Sequence, residues 1–341
     1  MNFAMIGCGF MARKHATAIE RIPEARLAAV CDIDESAMEP YVKEYGARAH
    51  QNYDAILADA AVDAVCICTP ASSYAFMAEQ AAMAKKHIVL DQPMAMTLDE
   101  AERIVEVCRE NGVKLTVVHP HRFRPVVMEL RKIIDAGMLG KISHASARIN
   151  LNRNMDFCDE ALWRVAKLRE AGGLMGQAID YLDLLLSFMG QPEQVFSMAT
   201  GFGNMDTEEV SAGLIRFESG ALGMVETSTS VYYRNFEESI TIFGEKGTVK
   251  IGGQNALSFE HFDVQSLSET ETEQIMEKVK ADPLGIPGHE QAISDLILAV
   301  KEHREPLVTG EDGKRALELV LAFYETARTN SPIGMRRGVL L

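Results

Sequence analysis

Through its first 120 residues the chain gathers apolar positions into short unbroken runs, and beyond them it alternates apolar with polar, so the pattern divides it in two. The runs at 3–6, 27–31, 64–68, 88–90 and 115–118 are apolar almost throughout, as strands covered on both faces must be. Stretches at 36–45, 53–58 and 74–86 read as helices between them. Thr97-Leu98-Asp99-Glu100 has capping-box form and opens a helix that Asn111-Gly112 closes. Strand regularly followed by helix predicts a doubly wound parallel sheet with ligands at the carboxyl ends of its strands.

The second pattern begins near residue 120. A helix over 125–136 stops at Gly137, and a long strand runs from 142 towards 152. Met175, Ile179, Leu182, Leu186 and Met189 form a helical stripe that predicts a helix over 172–189. Strand-like segments follow at 195–200, 210–217, 222–230, 239–243 and 248–251, parted by turn signals such as Glu218-Ser219-Gly220 and Gly244-Glu245-Lys246-Gly247. Short connections require antiparallel pairing. The acidic stretch 266–280 reads as a solvated connection or helix, and helices at 289–302 and 311–329 finish the chain. The expected architecture is α/β: a nucleotide-binding domain over 1–120, then an α/β domain over 121–341 with a large, open, mainly antiparallel sheet.

Chemistry enters at the first turn. Strand 3–6 runs into Gly7-Cys8-Gly9-Phe10-Met11-Ala12, and the second strand ends at Asp32. Gly7 permits a tight strand-to-helix turn, Gly9 lets the backbone approach a pyrophosphate, and Ala12 allows close helix–strand packing. The helix that follows turns free N–H groups and its positive dipole end towards the phosphates. Asp32 stands where a carboxylate accepts both ribose hydroxyls, and its charge repels a 2′-phosphate. The layout therefore predicts a Rossmann domain that binds NAD in preference to NADP.

Composition narrows the partners. The 341 residues are 47% apolar and 24% charged, the balance of a globular enzyme, and acidic groups outnumber basic ones 49 to 34 for a net charge of −15. Such a charge disfavours nucleic acid and anionic membranes. With no apolar run of membrane-spanning length and no charged leader before the first strand, a cytoplasmic location is expected. Cys66 and Cys68 share a strand face but lack a second pair or a histidine partner, so no metal site is expected there. Cys8, at a helix N-terminus, has either a lowered pKa or the simpler role of a small side chain beside the cofactor; the second is favoured.

Several further strings, in order, resemble the Gfo/Idh/MocA oxidoreductase family: Gly7 to His15, Thr69-Pro70, Asp91-Gln92-Pro93, Arg122-Phe123-Arg124-Pro125, Gly137 to Ile142, and Gly172 to Asp183. The chain is most similar to the branch acting on sugars and sugar nucleotides, including 3-dehydrogenases of nucleotide-linked uronic acids. The resemblance implies a homo-oligomer, dimer or tetramer, and hydride transfer between a sugar-like alcohol and NAD. It also implies cofactor contacts from Gly7, Cys8, Gly9, Phe10, Met11, Asp32, Thr69, Pro70, Tyr74, Asp91, Gln92, Arg122, Trp163 and Arg164. Substrate contacts are expected from Gln92, His119, Arg148, Asn152, Lys167, Gln177 and Asp180.

The departures from the family pattern bear on catalysis. The family usually has Glu-Lys-Pro where this chain has Asp91-Gln92-Pro93, and Gln92 hydrogen-bonds but exchanges no proton. Gly176 and Asp180 stand where an aspartate and a histidine are usual. An alcohol oxidation needs a base for the hydroxyl proton. Asp180 is the first candidate, a buried carboxylate whose pKa would rise, or else an acid that only orients a hydroxyl. His119, His121, Tyr181 and Lys167 are alternative proton carriers. Three readings stay open: a dehydrogenase, a redox-neutral enzyme that recycles NAD, and a nucleotide-binding protein without turnover.

Overall fold

The computed structural model describes residues 1–153, 172–201, 208–336 and 339–340. They form two compact units, one of Met1–Phe123 with Ile286–Leu317 and one of Arg124–Gly285 with Glu318–Leu341. The division at 120 in the linear reading assigns 286–317 to the second half, whereas the folded chain returns that segment to the first.

The first unit is built on β1 (Asn2–Ile6), β2 (Arg26–Cys31), β3 (Arg48–His50), β4 (Ala64–Ile67), β5 (His87–Asp91) and β6 (Leu115–Val118), in the order β3-β2-β1-β4-β5-β6. Every pairing is parallel, so each connection crosses a face of the sheet. Helices α1 (Phe10–Arg21), α2 (Glu35–Tyr45), α3 (Tyr53–Ala58), α4 (Tyr74–Met83) and α5 (Leu98–Asn111) make those crossings. The order reverses between β1 and β4, leaving the crevice where such sheets take their ligands. The capping box at Thr97 is present, and Gly112 ends α5 in the left-handed region.

Two elements have reasons that local pattern does not carry. β3 is a three-residue edge strand whose side chains stay largely exposed, so it has no apolar signature. The returning segment supplies Ala292, Ile293, Leu296, Ile297 and Val308 to the same core as Phe3, Met5 and Val30. Thr116 Oγ1 donates to the Val308 carbonyl at 2.9 Å and tacks that segment onto β6.

In the second unit, α6 (Pro125–Asp135) leads to β7 (Ile142–Asn150), and a π-helical turn at Leu174–Ala178 continues as α7 (Ile179–Met189). Strands β8 (Pro192–Thr200), β9 (Val210–Phe217), β10 (Leu222–Ser228), β11 (Glu237–Gly244), β12 (Gly247–Gly252) and β13 (Ser258–Val264) follow, then α8 (Glu269–Ala281). The acidic stretch is therefore a helix, opened by a capping box at Ser268. Next along the chain, α9 (Gly288–Lys301) belongs to the first unit and α10 (Gly310–Thr329) crosses the boundary at Leu317, before β14 (Ile333–Arg336) and β15 (Val339–Leu340) of the second. The sheet order is β13-β12-β11-β7-β10-β9-β8-β14-β15. Two antiparallel meanders flank β7, which is antiparallel to β11 and parallel to β10. One parallel pair thus interrupts the antiparallel sheet, because β7 arrives from outside both meanders.

Alternation sorts the faces of β7. Ala145, Ala147 and Ile149 are at most 1% exposed, and α7 packs against this strand. The opposite face carries a row of paired residues, Phe196, Leu214, Met224, Ser146, Thr241, Lys250 and His261, running across six neighbouring strands and on to β13. Its β8–β10 half is apolar and exposed, with Met198, Leu214, Leu222 and Met224 all open.

Candidate active site

The turn after β1 is held from three sides. Gly7 has φ +86°, and a Cβ there would stand 2.8 Å from the Cys68 carbonyl oxygen and 3.0 Å from the Thr69 nitrogen, so only glycine fits. Its N–H donates to the Cys31 carbonyl at 2.8 Å. The Cys8 N–H donates to Asp32 Oδ2 at 2.7 Å, and the Asp34 N–H donates to Oδ1 at 2.9 Å. The Tyr41 hydroxyl reaches the carbonyls of Cys8 and Gly9, each at 3.3 Å. Asp32 therefore ties the glycine loop to the tip of β2, and each of its oxygens retains a lone pair for a ligand hydroxyl.

Gly9 differs from Gly7, since a Cβ there would meet nothing within 4 Å. It opens α1 with no side-chain cap and no acid in the first turn, so the positive helix end faces open space. That is the arrangement an anion requires. Ala12 is fully buried, Phe10 is exposed with the Lys14 ammonium 5.1 Å above its ring, and Met11 is half-buried. Burial, then the Asp32 charge and Cys31, push the Cys8 thiol up to about 12. Cys8 is thus a neutral small side chain and not an activated thiolate.

After β4, Thr69 Oγ1 and Ser73 Oγ lie 2.7 Å apart, Ser73 donates to the Pro70 carbonyl, and Tyr74 begins α4 buried. After β5, Asp91 is buried 3.1 Å from His15 Nε2, and Gln92 leads into a cis bond to Pro93. His119 follows β6 and is 1% exposed; His121 lies in the next short turn. Arg122 pairs with Asp312 at 3.4 Å. Burial raises the Asp312 pKa, but Arg122, bonds from Thr309 and Arg315 outweigh it and leave the carboxyl below its usual range. Arg122 therefore has a buried structural partner within its own unit.

In the second unit a polar cluster forms at the end of β7. Arg153 Nε donates to Gln177 Oε1 at 2.8 Å, and its Nη1 donates to the Asn152 carbonyl and to Asn235 Oδ1. Asn152 Nδ2 donates to the Val231 carbonyl. Gln177 belongs to the π-helical turn, and Asp180, 8% exposed, follows in the first turn of α7. Tyr181 is buried with its hydroxyl 2.9 Å from Glu238 Oε1, and burial and that carboxylate drive its pKa far up, which leaves it a poor base.

The structure does not bring Arg148 to this cluster. Arg148 stands on the outer face of β7 in ion pairs with Glu226 and Glu237, in a surface pocket of about 370 Å³ with Ser146, Lys250 and His261. Its offsets of two to Asn150 and four to Asn152 are even, but the strand ends at Asn150, and the helix covers the opposite face. Trp163, Arg164 and Lys167 lie outside the described residues.

Sequence reading also missed Glu208. Its Oε1 accepts from the Leu174 N–H at 2.7 Å and the Tyr324 hydroxyl at 3.0 Å, and its carboxyl fills the space beside Gly172, which has φ +66°. Burial raises its pKa and the backbone bonds partly offset that. This carboxylate caps the helix that carries Gln177 and Asp180. Its signal was only the Gly172-Gly173 pair, with the partner 35 residues on.

A glycine loop leading into an uncapped helix, on a parallel sheet of this order, defines a nucleotide-binding α/β unit. Residues 1–119 match the model described as "Oxidoreductase family, NAD-binding Rossmann fold", and 127–250 match the GFO/IDH/MocA C-terminal domain. The chain belongs to the GFO/IDH/MocA oxidoreductase family. It is 27% identical to the WlbA dehydrogenase of Bordetella pertussis, whose structure was solved with NADH and UDP-GlcNAcA, with a TM-score of 0.90 and 98% of each chain covered. It is 26% identical to the myo-inositol 2-dehydrogenase of Thermotoga maritima over 94% of each chain. With the inositol 2-dehydrogenase of Rhizobium meliloti it shares 28% identity over 76% of this chain and 78% of that one. No helix among the described residues is long and apolar enough to cross a membrane.

The two glycines make opposite predictions. Gly7→Ala forces a Cβ against the Cys68 carbonyl in a left-handed backbone and should cost well over ~1 kcal/mol of stability, read as a lowered midpoint in urea unfolding. Gly9→Val should unfold at the native midpoint yet lose NAD binding in calorimetry, because its side chain enters the phosphate space. Native NAD affinity in a folded Gly9→Val protein would show the phosphate site to be elsewhere.

Proposed function

We propose that the chain interconverts a secondary alcohol of a sugar or sugar nucleotide with its ketone, using NAD held by the glycine loop and Asp32. One observation carries the cofactor half of this reading: an open, uncapped helix terminus at Gly9, closed on its β2 side by an acid. The sugar class rests on the relatives, whose printed names and bound molecules are inositol, sugar and sugar-nucleotide ones. NAD supplies the hydride acceptor. Gly7, Cys8, Gly9, Phe10 and Met11 present the loop backbone, while Thr69, Pro70, Tyr74, Asp91 and Gln92 border the cofactor.

With NAD bound as hydride acceptor, the chain's own part would be to take the hydroxyl proton of the alcohol. Asp180 is the proposed base, a carboxylate at the start of a helix that Glu208 fixes. Gln92 holds a substrate or ribose hydroxyl by hydrogen bonds alone. His119, Asn152 and Gln177 complete the proposed substrate contacts, and Arg153 orients Gln177. The proposed compartment is the cytoplasm, in keeping with the unbonded cysteines among the described residues.

A second copy of the chain is the proposed occupant of the outer sheet face. Met198, Leu214, Leu222 and Met224 are 65%, 57%, 47% and 40% exposed on adjoining strands, a contiguous apolar patch beside the charged half that holds Arg148, Glu237 and Lys250. A face with both halves can match itself about a two-fold axis.

Two measurements test these assignments. Loss of a general base typically costs about 10²–10⁴-fold, so Asp180→Asn should slow single-turnover NADH formation by that factor on the best substrate of a sugar and sugar-nucleotide panel. A rate equal to native would remove Asp180 from the mechanism, and product without net NADH would favour redox-neutral recycling. Leu214→Glu should shift the native oligomer towards monomer in sedimentation velocity, whereas an unchanged oligomer would place the interface elsewhere.

A further inference from the structure

Three ligand-type side chains from distant parts of the sequence converge inside the first unit. His15 lies in α1, 1% exposed; Asp91 ends β5, 6% exposed; His289 is the second residue of α9 and half-buried. His15 Nε2 is 3.1 and 3.2 Å from the two Asp91 oxygens. The His289 ring meets the His15 ring edge-on, with centroids 5.2 Å apart and planes at 74°. One ligand atom from each of the three lies within 4.8 Å of the others.

We propose that His15, Asp91 and His289 bind one divalent ion of the zinc or cobalt class, which cross-links α1, the tip of β5 and α9. Two imidazoles and a carboxylate are a donor set such ions favour over magnesium or calcium. A tetrahedral ion with bonds of about 2.0–2.1 Å holds its ligand atoms about 3.3–3.4 Å apart. The His15–Asp91 spacing already meets that requirement, and His289 closes the rest by a shift of about 1–1.5 Å on the same scale. A half-buried side chain makes that movement by rotating about χ1 and χ2.

His15 and the buried Asp91 carboxylate already pair, and a divalent ion would take the place of the proton between them, since ligating imidazole and carboxylate are both deprotonated on that side. The backbone around His289 is fixed, since Ala292 and Ile293 are in the core and Gln291 Nε2 donates to the Phe123 carbonyl at 3.1 Å. His289 also borders a surface pocket of about 460 Å³, rimmed by Arg13, Lys14, Arg21 and Glu290. On the His289 side the pocket would offer room for a fourth ligand, and its basic rim suits hydroxide or another anion.

The test is a cobalt(II) titration of chelator-treated full-length protein, read by visible d–d absorption and by thermal unfolding with and without zinc. Native protein should take up one equivalent and unfold at a higher temperature with zinc. His289→Ala and the bulk-preserving His289→Gln should bind cobalt at least about 100-fold more weakly, since even outer-shell changes cost up to that factor, and should lose the zinc-dependent shift. His261→Ala, which alters an exposed histidine on β13, should behave as native. Absence of stoichiometric cobalt binding by native protein, or equal binding by both His289 variants, would overturn the site.

Discussion

The carboxylate of Asp32 is the interaction on which the first unit's site depends. By accepting from the Cys8 and Asp34 N–H groups it joins the glycine loop to the end of β2 and to the start of α2. Both bonds are charge-assisted, hence stronger than neutral ones. They hold the loop backbone in the shape that leaves Gly9 facing open space, while Gly7 lies under the Cys68 carbonyl. The same group puts a negative charge at the strand tip, so the side chain that closes the loop is also the one proposed to choose the cofactor.

The second unit repeats this logic with a different residue. Glu208 accepts from the Leu174 N–H at the opening of the helix, with Tyr324 as a further donor. A helix start buried without such a partner would leave orphan donors at a cost of about 1–3 kcal/mol each. Capped in this way, the π-helical turn can present Gln177 to Arg153 and lead into Asp180. In each unit a fixed carboxylate holds the local backbone, one by closing a loop and one by capping a helix.

Much of this was legible in the sequence because it is local. Unbroken apolar runs, the Thr97 capping box and the glycine turn each need only a few adjacent residues, and the observed strands and helices fall where those signals lie. What was hidden depends on distant partners. The return of 286–317 to the first unit rests on packing by Ile293 and Leu296 that a helical stripe alone cannot assign to a core. β13 was missed because a register shift near Lys250 breaks the alternation of Phe259 and Phe262. Arg148 was placed at the site because it belongs to β7, yet strand alternation turns it to the outer face. Gln92 hydrogen-bonds without exchanging a proton, a property of the residue type, whereas the group proposed to take the proton depends on tertiary placement that local pattern does not carry.

The central claim is that one acid both closes the glycine loop and selects the cofactor, and calorimetric titration of the native protein with NAD and with NADP tests it most directly. NAD should bind at least about 10-fold more tightly, a difference of about 1.4 kcal/mol, because a 2′-phosphate would meet the Asp32 charge. NADP binding as tight as NAD or tighter would contradict the account.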